Sequence, residues 1–220
     1  MTGALTILFR DESLIAVDKP AGLAVHRGWA RERDVAMVRV RDQIGAHVFP
    51  VHRLDRATSG VLLFALTAEM AARVCESFAT GKIEKTYLAL VRGVPPEEIL
   101  VDHPLPPGED AHAPKVFAQT MVFRREVFGR YSLVEARPLT GRLHQVRRHL
   151  KHLSCPLIGD VNYGKGEHNR LFRERHGLHR LFLHATRLQL PHPALGGGLA
   201  IVSPLPADLA AVLQALREGN

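Results

Sequence analysis

HVFPVHRLDRATSGVLLFAL, residues 47–66, divides into an apolar run, a polar loop and a second apolar run. Both flanks, 47–52 and 61–66, are short and rich in Val, Phe and Leu, so both are expected as strands. Between them one acid, Asp55, stands between Arg53 and Arg56 before the chain bends through Thr58, Ser59 and Gly60. A loop tied at each end to a strand fixes its charged side chains in place, which a solvated charge run on an open surface does not.

Working outward, Leu5 to Phe9 and Leu14 to Val17 predict a hairpin across Arg10-Asp11-Glu12-Ser13, stopped by the Lys19-Pro20-Ala21-Gly22 turn. Asp34 is a candidate cap for a helix reaching Ile44 and ending at Gly45. Ala71, Val74, Cys75 and Phe78 recur at helical spacing after a Thr67 cap, with Gly81 at the stop. KTYLALVRG, 85–93, alternates as a strand does and sets Tyr87, Ala89 and Val91 on one face. Residues 103–115 hold four prolines and predict a connecting loop. Two strands follow in VFAQTMVFR and RYSLVEARP, then the turn PLTG. In RLHQVRRHLKHL, 142–153, Leu143, Val146, Leu150 and Leu153 form a helical stripe, while Arg142, Gln145 and His149 share another face. GDVNYGKGEHNR, 159–170, is expected to be loop-rich. LFLHATRLQL and LAIV are expected as strands, and a last helix carries Leu209, Val212, Leu213 and Leu216 with Pro206 at its first position. Strands and helices do not alternate regularly. The expectation is α+β, a mixed, mostly antiparallel sheet flanked by helices, rather than a doubly wound fold.

With 220 residues and 46% hydrophobic content, the chain can build one substantial core or two lobes sharing one. Lysines and arginines exceed acids by 29 to 22, a net charge of +7 that favours a polyanionic partner. No stretch approaches the roughly 18 apolar residues of a membrane span, which points to a cytoplasmic protein with no membrane partner. Cys75 and Cys155 lack metal or redox spacing and are expected as small buried hydrophobes.

HRLDRATSG, KTYLALV, TGRLHQVRRHL and GDVNYG, in that order, resemble the RluA-type pseudouridine synthases. The likeness runs from LIAVDKPAGLAVH to LHATRLQLPHP and so covers nearly the whole chain. Within the family, VRDQIGAHVFPVHRLDRATSGVLL and GRLHQVRRHL are most similar to the TruC-like branch, whose members modify uridine 65 of tRNA. The resemblance implies a single pseudouridine synthase catalytic domain over residues 1–220, two lobes sharing a central active-site cleft, with no S4 domain. It further implies a monomer acting on tRNA, or alternatively on ribosomal RNA, with no metal and no cofactor.

It also implies roles. Asp55 corresponds to the catalytic nucleophile, and Arg142 to the arginine that pairs with it. Such a partner is needed physically, since a buried carboxylate stays ionised only beside a cation or hydrogen-bond donors. Arg53 corresponds to the arginine that replaces the extruded uridine in the stack, a task suited to a planar cation. Tyr87 corresponds to the tyrosine that packs on the target base, and sequence leaves open whether it is also the general base. Arg56, Gln145 and Arg147 are carried as RNA-contacting residues. Gly60 and its hydroxyl neighbours shape the loop, and Asp160 and Tyr163 of GDVNYG are architectural. Basic residues at 27, 31, 33, 39, 41, 147, 148, 151, 170, 173 and 175, and Trp29, could follow phosphates or stack on RNA.

Rival chemistries fit less well. His144, His149 and His152 have no carboxylate or cysteine among them and no HExxH pattern, which disfavours zinc. A glycoside hydrolase needs two positioned carboxylates, and Asp55 is one acid among cations. The remaining rival is an RNA-binding or RNA-folding protein that keeps the fold without turnover.

Overall fold

A computed structural model describes residues 3–26, 34–108, 110 and 113–219. In chain order its elements are β1 (Ile7–Arg10), β2 (Leu14–Lys19), α1 (Ala36–Ile44), β3 (Phe49–Pro50), β4 (Ser59–Ala65), α2 (Ala68–Ala79), β5 (Glu84–Arg92) and β6 (Glu98–Asp102). They continue with β7 (Gln119–Phe128), β8 (Tyr131–Pro138), α3 (Gln145–His152), α4 (Gly166–His176), β9 (Leu183–Pro191), β10 (Gly198–Val202) and α5 (Ala207–Arg217). The chain forms two compact units, each assembled from two segments. One holds residues 1–84 and 185–204, the other 85–184 and 205–220.

In the first unit the strands run in the order β1, β2, β4, β9, with β10 beside β9 and β3 beside β4. Pairings of β1 with β2, β2 with β4, β3 with β4 and β9 with β10 are all antiparallel. All seven residues of β4 are buried. This is why its sequence reads as a continuous apolar run instead of alternating. Leu14, Val61, Leu63, Val74, Leu188 and Ile201 belong to its core. Gly60 is indispensable at the start of β4: its φ is +115°, and any Cβ there would collide with the backbone of Ala185.

In the second unit β5 pairs with β8, β8 with β7 and β7 with β6, all antiparallel. Helices α4 and α5 close its core, where Phe172, Leu209, Val212 and Leu213 meet Leu90, Leu133 and Ile158. The α+β expectation with a mostly antiparallel sheet is met. So are the first hairpin, the Thr67 cap, whose hydroxyl oxygen accepts from Met70 N at 3.2 Å, and the left-handed Gly45 that ends α1.

Several expectations change. Asp34 does not cap α1; the cap is Val35, and Asp34 instead forms a two-pronged ion pair with Arg39 at 2.6 Å. Pro206 is the cap of α5, one position before the expected one. β6 was not foreseen, and the last five residues of the stretch expected as loop, from Gly166 onward, belong to α4. The stripe of 142–153 begins its helix only at Gln145, because His144 takes a left-handed conformation, φ 53°. Cys75 is exposed and Cys155 buried, so only the second behaves as a core residue.

Candidate active site

The Asp55 loop is anchored at nearly every second residue. His52 Nε2 accepts from Leu63 N of β4 at 2.9 Å, and its ring lies 5.3 Å from that of Phe78. The next anchor is Leu54, which is buried. Arg56 is pinned through both its main chain and its side chain: its carbonyl accepts from Gly22 N at 2.8 Å, and its Nε donates to Gly22 O at 2.9 Å. Thr58 N donates to Asp55 O at 3.0 Å and closes the turn. Between these anchors Arg53 is exposed and Asp55 half-buried. The loop therefore fixes Asp55 while leaving the Arg53 guanidinium on the surface.

Lys19 tightens the same loop from the preceding turn. It is fully buried, and its ammonium donates to Pro20 O, Leu23 O and Arg56 O at 2.9, 2.8 and 3.2 Å. The sequence offered only a Lys-Pro turn here, with no signal that the lysine points inward to staple two motifs together.

In the second unit, Tyr87 stands half-buried on β5, where it pairs across to Ala136. Lys85, two residues earlier and so on the same strand face, donates to Thr140 O at 2.8 Å and thereby ties the Tyr87 strand to the turn that carries Arg142. Burial alone lowers the Lys85 ammonium from 10.5 to about 8. The two-residue spacing in KTY was the available signal, and it was read for Tyr87 only. Arg142 itself is exposed, and its Nε donates to Phe117 O at 2.9 Å.

Gln145 and Arg147, carried as RNA-contacting residues, are both buried. The Gln145 amide is 5% exposed and bonded to Thr140, Arg142, Gln119 and Thr120. Arg147 is equally buried and grips both oxygens of Asp160, at 2.7 and 2.9 Å. Two of its nitrogens, Nε and Nη2, are thus held on Asp160. Asp160 accepts further from Asn162 N and Tyr163 N, each at 3.0 Å. Burial opposes its charge, but the bonds and charge of Arg147 and the two N–H groups outweigh that and hold the carboxyl below its ordinary range. Tyr163 adds its ring, 5.0 Å from the Arg147 guanidinium, and its hydroxyl, which meets His144 Nδ1 at 3.1 Å and accepts from Arg148 Nε at 3.0 Å. GDVNYG is thus architectural, as its motif implied, and the His144 contact accompanies the left-handed turn.

Residues 13–152, which include Asp55, Tyr87, Arg142 and Gln145, match the RNA pseudouridylate synthase family. The chain belongs to that family. It is 45% identical to the tRNA pseudouridine synthase C of Vibrio parahaemolyticus, over 86% of this chain and 85% of the relative. With the enzyme of the same name from Haemophilus ducreyi it shares 47% identity over 86% of each chain. Among solved structures, human RNA Pseudouridylate Synthase Domain Containing 4 superposes with a TM-score of 0.79 at 31% identity, covering 96% of this chain and 93% of that one. As a member of this synthase family the chain is an isomerase that converts uridine to pseudouridine.

On this synthase the described basic residues divide by exposure. Arg41, Lys151, Arg170, Arg173 and Arg175 are exposed, whereas Arg148 is drawn in to the carbonyls of Pro106 and Gly108. Arg39 is occupied by Asp34. Arg27, Trp29, Arg31 and Arg33 lie outside the described residues. No helix among the described residues is long and apolar enough to cross a membrane.

Proposed function

We propose that this chain isomerises one uridine of tRNA, at position 65, with Asp55 as the nucleophile and Arg142 as the cation that keeps it ionised. The observation carrying this reading is the 45–47% identity, across most of the chain, to synthases named for tRNA. Uridine and pseudouridine are isomers: the N1–C1′ bond breaks, a C5–C1′ bond forms, C5 loses a proton and N1 gains one. No atom is added and no electron is consumed, so the net reaction needs neither an oxidant nor a group donor. An aspartate suits both routes, direct attack at C1′ or proton removal to a glycal, provided it is charged; a guanidinium neighbour lowers a carboxylate pKa by about 1–3 units. Arg53, exposed on an anchored loop, fills the gap left by the flipped base, offsetting an unstacking cost of a few kcal/mol. Tyr87 holds the uracil face while the base turns. The enzyme acts in the cytoplasm as a single catalytic domain.

Purified protein is expected to form pseudouridine in tRNA transcripts, and Asp55→Asn to form none while binding the same RNA and keeping the same thermal midpoint. Turnover by Asp55→Asn at the wild-type rate rejects the mechanism. Mapping pseudouridine in cells lacking the gene tests the target: loss at tRNA position 65 supports it, and loss in ribosomal RNA overturns it.

A further inference from the structure

Side chains alternate along β5, so Tyr87, Ala89 and Val91 point to one face of the sheet and Leu88, Leu90 and Arg92 to the other. Helices α4 and α5 pack on that second face, against Leu90 and Leu133. At its far end Arg92 pairs across to Tyr131, about 17 Å along the strand from Tyr87. The backbone there is held firmly: Arg92 N donates to Pro156 O at 2.9 Å, and Gly93 N to Arg130 O at 2.7 Å. The buried Tyr131 hydroxyl meets His168 Nδ1 at 2.9 Å, and His168 Nε2 lies 3.2 Å from the Glu167 carboxylate. Burial lowers the His168 pKa, so the ring is neutral, donates to Glu167 and accepts from Tyr131.

Four cations surround this pair. The charges of Arg92 and Arg130 act on both rings, that of Lys165 on His168 from the cap position of α4. Arg175 acts on Tyr131, with which it shares the wall of a cavity of about 290 Å³. Arg130, Lys165 and Arg175 are exposed and Arg92 is half-buried, and none of the four forms a side-chain ion pair among the described residues. Glu167 is spent on His168, while Glu126 and Asp208 on neighbouring elements are paired with Arg217 and Arg180. Like charges gathered without a counter-charge repel one another, and a bound polyanion relieves that repulsion. Guanidinium and ammonium groups grip phosphate oxygens and read no bases. We propose that Arg92, Arg130, Lys165 and Arg175 form a phosphate-binding surface that holds the substrate RNA away from its reacting uridine, an inference that rests on the proposed tRNA substrate. Because this surface and Tyr87 lie on opposite faces of the sheet, a short stem carrying the uridine does not reach it, and a full-length tRNA does.

Arg130→Gln, Lys165→Gln and Arg175→Gln, combined in one variant, remove the three exposed charges and leave the half-buried Arg92 in place. Dissociation constants are measured from about 50 to 200 mM salt on full-length tRNA and on a short stem-loop holding the same uridine, together with single-turnover rates at saturating RNA. Each phosphate contact adds about 0.7–0.9 to the slope of log affinity against log salt. On full-length tRNA the slope should therefore flatten by roughly two and the affinity at low salt should drop at least about tenfold. Affinity for the stem-loop and the saturated rate should stay within about twofold of wild type. Glu167→Gln removes the opposing charge, keeps an acceptor for His168, and should tighten binding of full-length tRNA by about two- to threefold. If the thermal midpoint of the triple variant falls, the single variants decide, each expected to flatten the slope by about 0.7–0.9. The proposal is overturned if the slope on full-length tRNA keeps its wild-type value, if the stem-loop loses as much affinity as the full-length RNA, if the loss falls on the rate, or if Glu167→Gln binds more weakly. If the wild-type protein modifies ribosomal RNA and not tRNA, the proposed substrate fails, and the same slopes, measured on the modified RNA and on a short stem cut from it, decide the surface.

Discussion

The two arginine-rich motifs, HRLDRATSG in the first unit and GRLHQVRRHLKHL in the second, put the same residue type to opposite uses. In the first, every anchoring bond has a main-chain partner, those of the His52, Arg56 and Lys19 side chains included, and Arg53 is left exposed beside Asp55. In the second, side chains do the holding: Gln145, Arg147 and His149 are buried, and among them Arg147 is matched to Asp160. On the proposed function, the exposed cation of the first motif is the one that meets RNA. One sunk in a helix and paired with a carboxylate works on stability.

The sharpest way to break this contrast is to remove one arginine from each motif. Arg147→Met leaves the Asp160 carboxylate buried without its cation, and losing one partner of such a pair costs about 3–5 kcal/mol. Urea unfolding should show that loss, while Arg53→Ala should stay within about 0.5 kcal/mol of wild type and lose activity instead. The pH dependence carries the sign. Because the folded-state pKa of Asp160 lies below its ordinary 3.8, the pair stabilises the fold above that value and loses its contribution as the pH falls through the lowered one. Wild type should therefore weaken steeply on the acid side, and Arg147→Met should show a flatter limb. Equal stability of the two variants would erase the distinction between the motifs.

Much of this was legible in the sequence, and the omissions have a common cause. The hairpin, α2 and α5 were found because each has an apolar stripe or alternation and a recognisable stop. α4 was missed because only His168 and Phe172 of its eleven residues are buried and no side chain caps its start, so GEHNRLFRERH has no stripe to see. The burial of Arg147 was not legible because it depends on Asp160, thirteen residues away on a loop, and a charge in a helix looks alike whether it faces water or a carboxylate. Asp55, Tyr87 and Arg142 are proposed as site residues on motif order. Their supports, Lys19, Lys85 and Thr120, were not legible, because a side chain bonded to backbone carbonyls or to a buried amide leaves no periodic trace.

Lys85 extends the comparison to a lysine that gives up stability for position. Burial lowers its pKa from 10.5 to about 8, so the folded state carries a desolvation penalty that is full below pH 8 and is relieved as the pH climbs toward 10.5, where the unfolded chain also loses its proton. Lys85→Met should then stabilise the protein at pH 7 by on the order of 1–3 kcal/mol, since 1.36 kcal/mol accompanies each pKa unit and relaxation absorbs part of it. The gain should shrink toward zero near pH 10. Turnover should fall at the same time, because the tie from the Tyr87 strand to Thr140 O is gone. Chemical denaturation at the two pH values checks the first claim and single-turnover rates the second. A variant less stable than wild type at pH 7 would mean that the hydrogen bond to Thr140 outweighs the burial of the charge.

The smallest expected effect separates the two motifs at the level of one hydroxyl. Thr58 and Thr120 are both buried, at 2% and 0% exposure, and both can be changed to valine with little change of shape. Thr58 Oγ1 has no hydrogen-bond partner among the described residues, whereas Thr120 Oγ1 meets Gln145 and His149. Burying an unpaired hydroxyl is unfavourable, so Thr58→Val removes a penalty and should leave stability unchanged or raise it by up to about 1 kcal/mol. Thr120→Val strands two buried groups and should lower stability by about 1–3 kcal/mol. Thermal or urea midpoints of the two variants, measured side by side, test whether a buried hydroxyl holds the second motif and none holds the first. A loss at Thr58 as large as at Thr120 would show that the Asp55 loop also depends on a hydroxyl, and the division of labour between the two arginine-rich motifs would not stand.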